Sequence, residues 1–118
     1  MSEAETVLYH VRDGIATVKI NRPEMRNALS PAAANRLHDL WCEVDADKNV
    51  HVAILTSADC GTFCAGLDLR EASRVKKDEG VDILTKMRDP FHGRQRRVAK
   101  PIIAAMTGHL IAGGMMLS

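Results

Sequence analysis

The chain has few aromatic residues and no long apolar run. Only four of its 118 residues are Phe, Tyr or Trp, so aliphatic side chains must supply most of a hydrophobic core. No apolar stretch approaches the roughly 18 residues that a membrane-spanning helix requires. The N-terminus carries Glu3 and Glu5 and has no apolar signal segment, so we expect a cytoplasmic protein without a membrane partner.

Several motifs that define nucleotide-binding and catalytic sites are also missing. The sequence has no Gly-x-x-x-x-Gly-Lys-Ser/Thr, no Gly-x-Gly-x-x-Gly and no Gly-x-Ser-x-Gly, which excludes their usual P-loop, dinucleotide and nucleophile-elbow sites. Three cysteines form an odd set, which we interpret as reduced thiols. Cys60 and Cys64 could suggest a metal, but no nearby His or Cys pair completes a ligand set, so we predict small residues in a tight loop and no metal.

Charge is balanced overall but uneven along the chain. The net charge of +1 gives no general reason to expect nucleic acid. Residues 70–100 nevertheless hold ten Lys or Arg against five Asp or Glu. This stretch is either a solvated helix surface or a surface that faces a phosphate-bearing ligand. Nucleic-acid binding through Arg94, Arg96 and Arg97 would require strongly salt-dependent affinity, and no other feature of the sequence supports it.

The first half of the chain has clear secondary-structure signals. Thr6–Arg12 and Ile15–Asn21 are β-rich, and the Asp13-Gly14 pair between them predicts a hairpin. Ser30 is a good helix N-cap and is followed by proline at the first helical position. A helix is therefore predicted to end near Ala46, with one apolar stripe formed by Ala33, Leu37, Leu40, Trp41 and Val44. His38 is predicted to lie exposed on its surface.

Two short apolar runs predict strands buried on both faces. They are Val52–Thr56 and Ile102–Met106, and a glycine-containing loop follows each. A helical, polar stretch separates them, and a glycine turn near the end of the chain is predicted to open a further helix. This alternation predicts an α/β fold with a parallel sheet, whose loops lie at the carboxyl ends of the strands, where ligands bind in such folds.

The loops after these strands contain the candidate functional groups. In residues 63–69, Gly66 permits a tight turn that can direct the Leu67 N–H outward, and Asp68 can cap the next helix. In residues 108–114, paired glycines can leave N–H groups uncovered at a helix N-terminus, where an anion or oxyanion would bind. Paired glycines more often reflect simple close packing, and His109 suits structural hydrogen bonding better than catalysis.

Three stretches together resemble the crotonase (enoyl-CoA hydratase/isomerase) family. Residues 20–30 (INRPEMRNALS) are similar to its early NRP…NAL segment, and residues 52–68 to its ILT…FCAGxD segment. Residues 100–109 (KPIIAAMTGH) and the glycines after them are similar to its third segment, although Thr107 stands where Asn is common. The three occur in the family's order and cover nearly the whole chain.

The resemblance implies an α/β fold of the crotonase type, a spiral of ββα units. Residues 1–118 are then expected to be the N-terminal part of a core domain that is incomplete at its C-terminus. The resemblance further implies a homotrimer or a hexamer, a role in acyl-CoA or fatty acid metabolism, and a coenzyme A thioester as substrate. No cofactor is expected, because coenzyme A is part of the substrate.

The resemblance also assigns site residues by position. The backbone N–H groups of Leu67 and Gly113 would form an oxyanion hole that holds the enolate oxygen. The path of the coenzyme A nucleotide and pantetheine would be lined by Met25, Arg26, Ala28, Ala65, Gly66, Leu67, Asp68 and Gly113. Of these, Arg26 is suited to contact a phosphate.

One departure from the family pattern bears on chemistry. Met116 occupies the position of the first catalytic Glu of the family's hydratases, and Ala112 replaces the first glycine of a triple glycine. Hydration uses two carboxylates to hold and activate one water, and methionine cannot take part in that proton transfer. A single carboxylate still suffices for isomerisation. The alternative prediction is a CoA-binding pseudoenzyme or an assembly subunit without catalysis.

Overall fold

The structure is a computed structural model and describes residues 3–91, 98–106 and 108–110. In chain order its helices and strands are α1 (Glu3–Thr6), β1 (Val7–Arg12), β2 (Ile15–Ile20), α2 (Pro31–Ala46), β3 (Val52–Ser57), β4 (Thr62–Cys64), α3 (Leu69–Glu79), β5 (Ile102–Ala104) and β6 (His109–Leu110). Two 3₁₀ turns, Pro23–Met25 and Ile83–Lys86, connect them. Within these ranges no helix is both long and apolar enough to cross a membrane.

The predicted hairpin is confirmed. Strands β1 and β2 pair antiparallel, with Val7 opposite Ile20 and Arg12 opposite Ile15. Asp13 and Gly14 both have positive φ, 52° and 79° respectively. A two-residue turn needs this conformation to match the right-handed twist of the strands, and Asp-Gly adopts it readily.

The main sheet has the strand order β1-β2-β3-β5, and β2, β3 and β5 are parallel. The predicted α/β class is therefore confirmed, with an antiparallel strand at one edge. Because parallel strands point the same way, the segments that leave β2, β3 and β5 all begin at one edge of the sheet. That edge carries every described residue of the candidate site.

Helix α2 begins and ends at the predicted residues. The Ser30 side chain accepts a hydrogen bond from the Ala33 N–H, and Pro31 occupies the first turn. All five predicted stripe residues are buried, and Ala34 is buried beside them. They form one core with the inner face of the sheet, which includes Ala16, Val18, Ile20, Ala53 and Leu55. The spacing of apolar residues in the sequence thus determines how α2 packs against the sheet, and α2 supports the site.

Three sequence predictions about burial were wrong. In β3 only Ala53 and Leu55 are fully buried, because α2 covers just one face of the strand. Strand β5 is the last strand of the described sheet, and its Ile103 is 58% exposed. His38 is half-buried rather than exposed, since the backbone of residues 86–91 runs along α2 and Asp89 O lies 3.1 Å from His38 Nδ1.

The loop predicted between β3 and α3 contains a short strand. Strand β4 pairs in parallel with β6 as a second, two-stranded sheet, with Thr62 opposite His109 and Cys64 opposite Leu110. This approach requires a glycine at 108, because a Cβ there would lie 2.0 Å from the carbonyl oxygen of Gly61. The φ of Gly108 is also +78°, which an L side chain rarely adopts.

We therefore expect Gly108→Ala to disrupt the pairing of β4 with β6. Gly80→Ala is the matched control, since Gly80 has φ +70° but a Cβ added there would meet nothing within 4 Å. The control should lose roughly 1 kcal/mol of unfolding free energy from backbone strain alone. Gly108→Ala should lose clearly more, measured by chemical denaturation. Equal losses for the two variants would contradict the close approach.

Candidate functional site

The site is built where the segment after β2 meets the segment after β3. The Leu29 N–H donates to Gly66 O at 2.7 Å, and the Asp68 N–H donates to Leu29 O at 2.8 Å. These two bonds form a parallel bridge between Leu29 and Leu67. A third bond runs from the Ala65 N–H to Arg26 O at 3.2 Å. The two segments are therefore held side by side by main-chain bonds.

This pairing does not use the Leu67 N–H. In a parallel bridge the residues before and after the bridge residue make the bonds, and its own N–H faces the other side. Among the residues that the structure describes, the Leu67 N–H has no hydrogen-bond acceptor. The preceding Gly66 has φ +86°, the glycine conformation that the sequence predicts for this turn. A free backbone donor is available for a ligand.

Asn27 fixes the two turns that lead into this pairing. Its side chain is fully buried and its φ is +56°, a left-handed conformation that Asn tolerates better than most residues. Its Oδ1 accepts from the Arg22 N–H at 3.0 Å, and its Nδ2 donates to Ala58 O at 2.9 Å and Thr62 O at 3.0 Å. One side chain thus ties the loop after β2 to the start of β4.

Arg22 and Asp68 form a second link between the same segments. The Arg22 Nη2 donates to Asp68 Oδ2 at 3.0 Å, and its Nη1 donates to Ala28 O. The other carboxylate oxygen of Asp68 accepts from the Glu71 N–H at 3.1 Å and so caps α3, as the sequence predicts. Asp68, a predicted substrate-contacting residue, therefore has both oxygens engaged within the protein.

A surface cavity of about 430 Å³ lies over this pairing. Its lining residues are Glu24, Met25, Arg26, Ala28, Ala65, Leu67, Asp68, Leu69 and Arg70. Six residues that the resemblance assigns to the coenzyme A path are therefore brought together around one cavity, from stretches about 40 residues apart in sequence. Gly66 is buried beneath them.

Sequence reasoning missed two groups of this region. Arg70 lines the cavity, and only its place at the start of the basic stretch could have indicated it. Arg26 and Arg70 are both exposed, and neither has an ion-pair partner among the described residues. Arg22 stands inside the quoted INRPEMRNALS segment, but its contact with Asp68, 46 residues away, has no local signal.

Gly113 and Met116 lie outside the described residues, as does the predicted glycine turn that contains Gly113. The described strand β6 ends at Leu110, which pairs with Cys64.

The cysteines differ in their surroundings. Cys60 is exposed, Cys42 is half-buried and Cys64 is fully buried, and none forms a disulfide. Burial raises the pKa of the Cys64 thiol, and a hydrogen bond with the Gly66 backbone lowers it by less. Across the described ranges no group of three His, Cys, Asp or Glu side chains could hold a metal ion.

The cavity lies at the carboxyl ends of parallel strands, where α/β proteins bind their ligands. Comparison with known proteins is more specific, because the family model described as Enoyl-CoA hydratase/isomerase matches residues 10–118. The chain belongs to the enoyl-CoA hydratase/isomerase family, and the resemblance to crotonases is confirmed.

Individual relatives agree with this assignment. The chain is 31% identical over 119 aligned residues to (E)-benzylidenesuccinyl-CoA hydratase of Thauera aromatica, covering 95% of this chain and 43% of that protein. Enoyl-CoA hydratase EchA1 of Mycobacterium marinum is 38% identical with a TM-score of 0.75, over 96% of this chain and 42% of its own. A Pseudomonas aeruginosa protein is 29% identical with a TM-score of 0.83, and the match covers 99% of this chain and 50% of that protein. The chain thus spans half or less of the length of these relatives.

The buried Cys64 thiol predicts a pH dependence of stability. Because its folded pKa is raised, its contribution is present below the pKa of the unfolded thiol, about 8.5, and is lost as pH rises above it. We expect unfolding free energy to fall between pH 8 and pH 10 and to fall less steeply in Cys64→Ala. Tyr9, whose pKa burial also raises, is common to both proteins and cancels in the comparison. Parallel pH profiles in denaturation experiments would contradict this role of Cys64.

Proposed function

We propose that the protein binds an acyl-CoA thioester and stabilises an enolate oxygen with the backbone N–H groups of Leu67 and Gly113. The observation that carries this proposal is that Leu67 lines the cavity while its N–H has no acceptor among the described residues. Such a donor is held by the fold before the ligand arrives, so it needs no reorganisation during reaction.

The register of the small sheet supports Gly113 as the second donor. Cys64 pairs with Leu110 in parallel, and Leu67 and Gly113 each follow their paired strand residue by three positions. Equal distances along the sequence from one paired position are consistent with the two N–H groups reaching the same oxygen. The glycine at 113 leaves its amide unshielded by a side chain.

In the proposed mechanism the thioester oxygen becomes negatively charged when a single carboxylate takes a proton from the adjacent carbon, and the same carboxylate later returns that proton to another carbon. Two N–H groups then bind that oxygen more tightly than they bind the neutral carbonyl, which lowers the barrier. One such donor contributes about 3 kcal/mol to the transition state. The donors belong to the main chain, so the Leu67 side chain is not part of this chemistry.

The cavity suits the remainder of the ligand. Met25, Ala28 and Ala65 give it small and apolar walls beside the Leu67 amide, as a pantetheine chain requires. At its rim the exposed guanidinium groups of Arg26 and Arg70, without ion-pair partners in the described part of the chain, are suited to coenzyme A phosphates. We expect the protein to need no cofactor other than the coenzyme A of the substrate. We also expect it to form a homotrimer or hexamer and to be cytoplasmic.

Met116 decides which reaction follows enolate formation. Because methionine cannot help to activate water, we propose proton transfer between carbons, as in isomerisation, rather than the two-carboxylate hydration. The alternative, a CoA-binding protein without catalysis, rests on the same substitution, Met116 in place of the family's Glu. Names of relatives such as (E)-benzylidenesuccinyl-CoA hydratase support a CoA-thioester substrate but do not specify the acyl group.

Removal of the Leu67 N–H tests the proposal directly. Replacing Leu67 with its α-hydroxy acid analogue keeps the side chain and converts the N–H into an ester oxygen. We expect kcat on the best acyl-CoA substrate to fall on the order of 10²- to 10³-fold, because one oxyanion donor is lost. Folding should be largely retained, since this N–H has no partner among the described residues.

The same ester at Leu84 is the control. Leu84 is 61% exposed in the turn after α3 and is not among the residues that line the cavity. Its ester should change kcat by no more than about threefold, the usual range for exposed substitutions. An equal loss of activity at both positions, or none at Leu67, would reject the oxyanion assignment.

The reaction type has its own test. Hydration of crotonyl-CoA should be at least about 10²-fold slower than with a family member that has both carboxylates, which is the usual contribution of an acid–base group. Double-bond migration in a 3-enoyl-CoA should proceed faster than hydration. Hydration at the rate of the comparison enzyme would refute the role given to Met116. Binding of acyl-CoA without hydration, isomerisation or α-proton exchange would support the non-catalytic alternative.

A further inference from the structure

We propose that Arg22 is a positioning residue that aims the Leu67 N–H through its ion pair with Asp68. This inference rests on the proposed function, because it concerns the donor that would hold the thioester oxygen. Arg22 does not line the cavity beside Leu67 but a neighbouring one of about 450 Å³, so it would act without touching the thioester.

The guanidinium of Arg22 brackets the bridge that exposes the Leu67 amide. Its Nη1 donates to Ala28 O, one residue before Leu29, and its Nη2 donates to Asp68 Oδ2, one residue after Leu67. Leu29 and Leu67 are the bridge residues themselves. One planar group therefore sets the spacing of the two segments at the point where the free donor lies.

The main chain of Arg22 is fixed as well. Its N–H donates to Asn27 Oδ1 at 3.0 Å, and its carbonyl accepts from the Asn27 N–H at 2.8 Å and the Met25 N–H at 3.0 Å. The guanidinium thus extends from a closed turn whose position Asn27 ties to β4. Because its main chain is held rigidly, the Arg22 side chain can fix the position of residues 66–68 rather than move with the loop.

Burial makes this pair different from a surface salt bridge. The Arg22 and Asp68 side chains are only 12% and 7% exposed, so water screens their attraction poorly. The two donor contacts run to different acceptors, which a planar fork can satisfy together. A lysine keeps the charge but has a single ammonium in place of the fork, so it is expected to keep one contact and lose the other.

Loss of the fork should affect chemistry more than folding. The bonds from Leu29 N–H to Gly66 O and from Asp68 N–H to Leu29 O do not involve the guanidinium, so the bridge persists without it. What changes is the orientation of residues 66–68. A misplacement of about 1 Å in a catalytic group costs on the order of 10²-fold in rate.

The experiment compares Arg22→Lys with Arg88→Lys in the ¹⁵N-leucine-labelled protein. Arg88 also binds an aspartate through both terminal nitrogens, at 2.7 and 3.1 Å from Asp39, but this pair is half-exposed on α2. Crotonyl-CoA should shift the Leu67 amide resonance in the wild type and in Arg88→Lys. The shift should be much smaller in Arg22→Lys, and kcat/KM should fall on the order of 10- to 100-fold.

Binding of free CoA separates positioning from general damage. Free CoA has no thioester oxygen, so its Kd should change by no more than about threefold in Arg22→Lys, as for a substitution that leaves the binding walls intact. Asp68→Asn provides a second variant, because Asn still caps α3 while the charge is removed. Its loss of kcat/KM should add less than fully to that of Arg22→Lys in the double variant, since Arg22 and Asp68 are partners in one ion pair.

The outcomes distinguish the two proposals. If the Leu67 amide of the wild type does not respond to crotonyl-CoA and no acyl-CoA is turned over, the proposed function fails and this inference fails with it. If the wild type responds and Arg22→Lys behaves like it, or if free CoA binding is lost in parallel with kcat/KM, only the positioning role is overturned. Additive losses in the double variant would likewise overturn it.

Discussion

The pairing of residues 26–29 with residues 65–68 is the constraint on which the rest of the site depends. Two main-chain bonds through Leu29 hold the segments in parallel, and the intervening Leu67 N–H has no acceptor in the part of the chain that the structure describes. The sheet supplies the setting, because β2 and β3 are parallel and end at the same edge. Without that common edge, two segments about 40 residues apart would not meet.

Buried polar side chains hold this pairing in place. Asn27 is fully buried in a left-handed conformation and bonds to both turns, and the Arg22–Asp68 pair crosses between the segments. Such groups lose water when buried, so they stabilise only as a completely bonded set. Their cost is consistent with a role in fixing geometry, since apolar packing alone would not specify the orientation of one amide.

Much of the fold was predictable because its signals are local. The Asp13-Gly14 turn, the Ser30 cap and the stripe of α2 each depend on a few adjacent residues. Strand β4 was not predictable, because its three residues lie in a glycine-rich loop and form a strand only through pairing with β6. The exposure of Ile103 was missed for a similar reason, since an apolar run does not tell which of its faces a neighbour covers.

The candidate site was likewise predictable in part. Motif resemblance selected six residues that the structure gathers around one cavity, although two of them, Ala28 and Ala65, carry no chemical signal. Arg22 and Arg70 escaped assignment because their importance comes from contacts and accessibility that no local pattern encodes. Gly113 and Met116 remain predictions from the resemblance, and their positions lie beyond the described residues.

A site that relies on backbone donors allows its chemistry to change without rebuilding its charge stabilisation. A side chain can be exchanged at position 67 or 116 while every amide N–H of the loop stays in the chain. The proposed oxyanion contribution would depend on φ and on pairing, which Gly66 and Leu29 set, whereas proton transfer would depend on carboxylates placed separately. Methionine at 116 is therefore compatible with the proposed oxyanion hole, and under that proposal the expected reaction is movement of a proton between carbons rather than water addition.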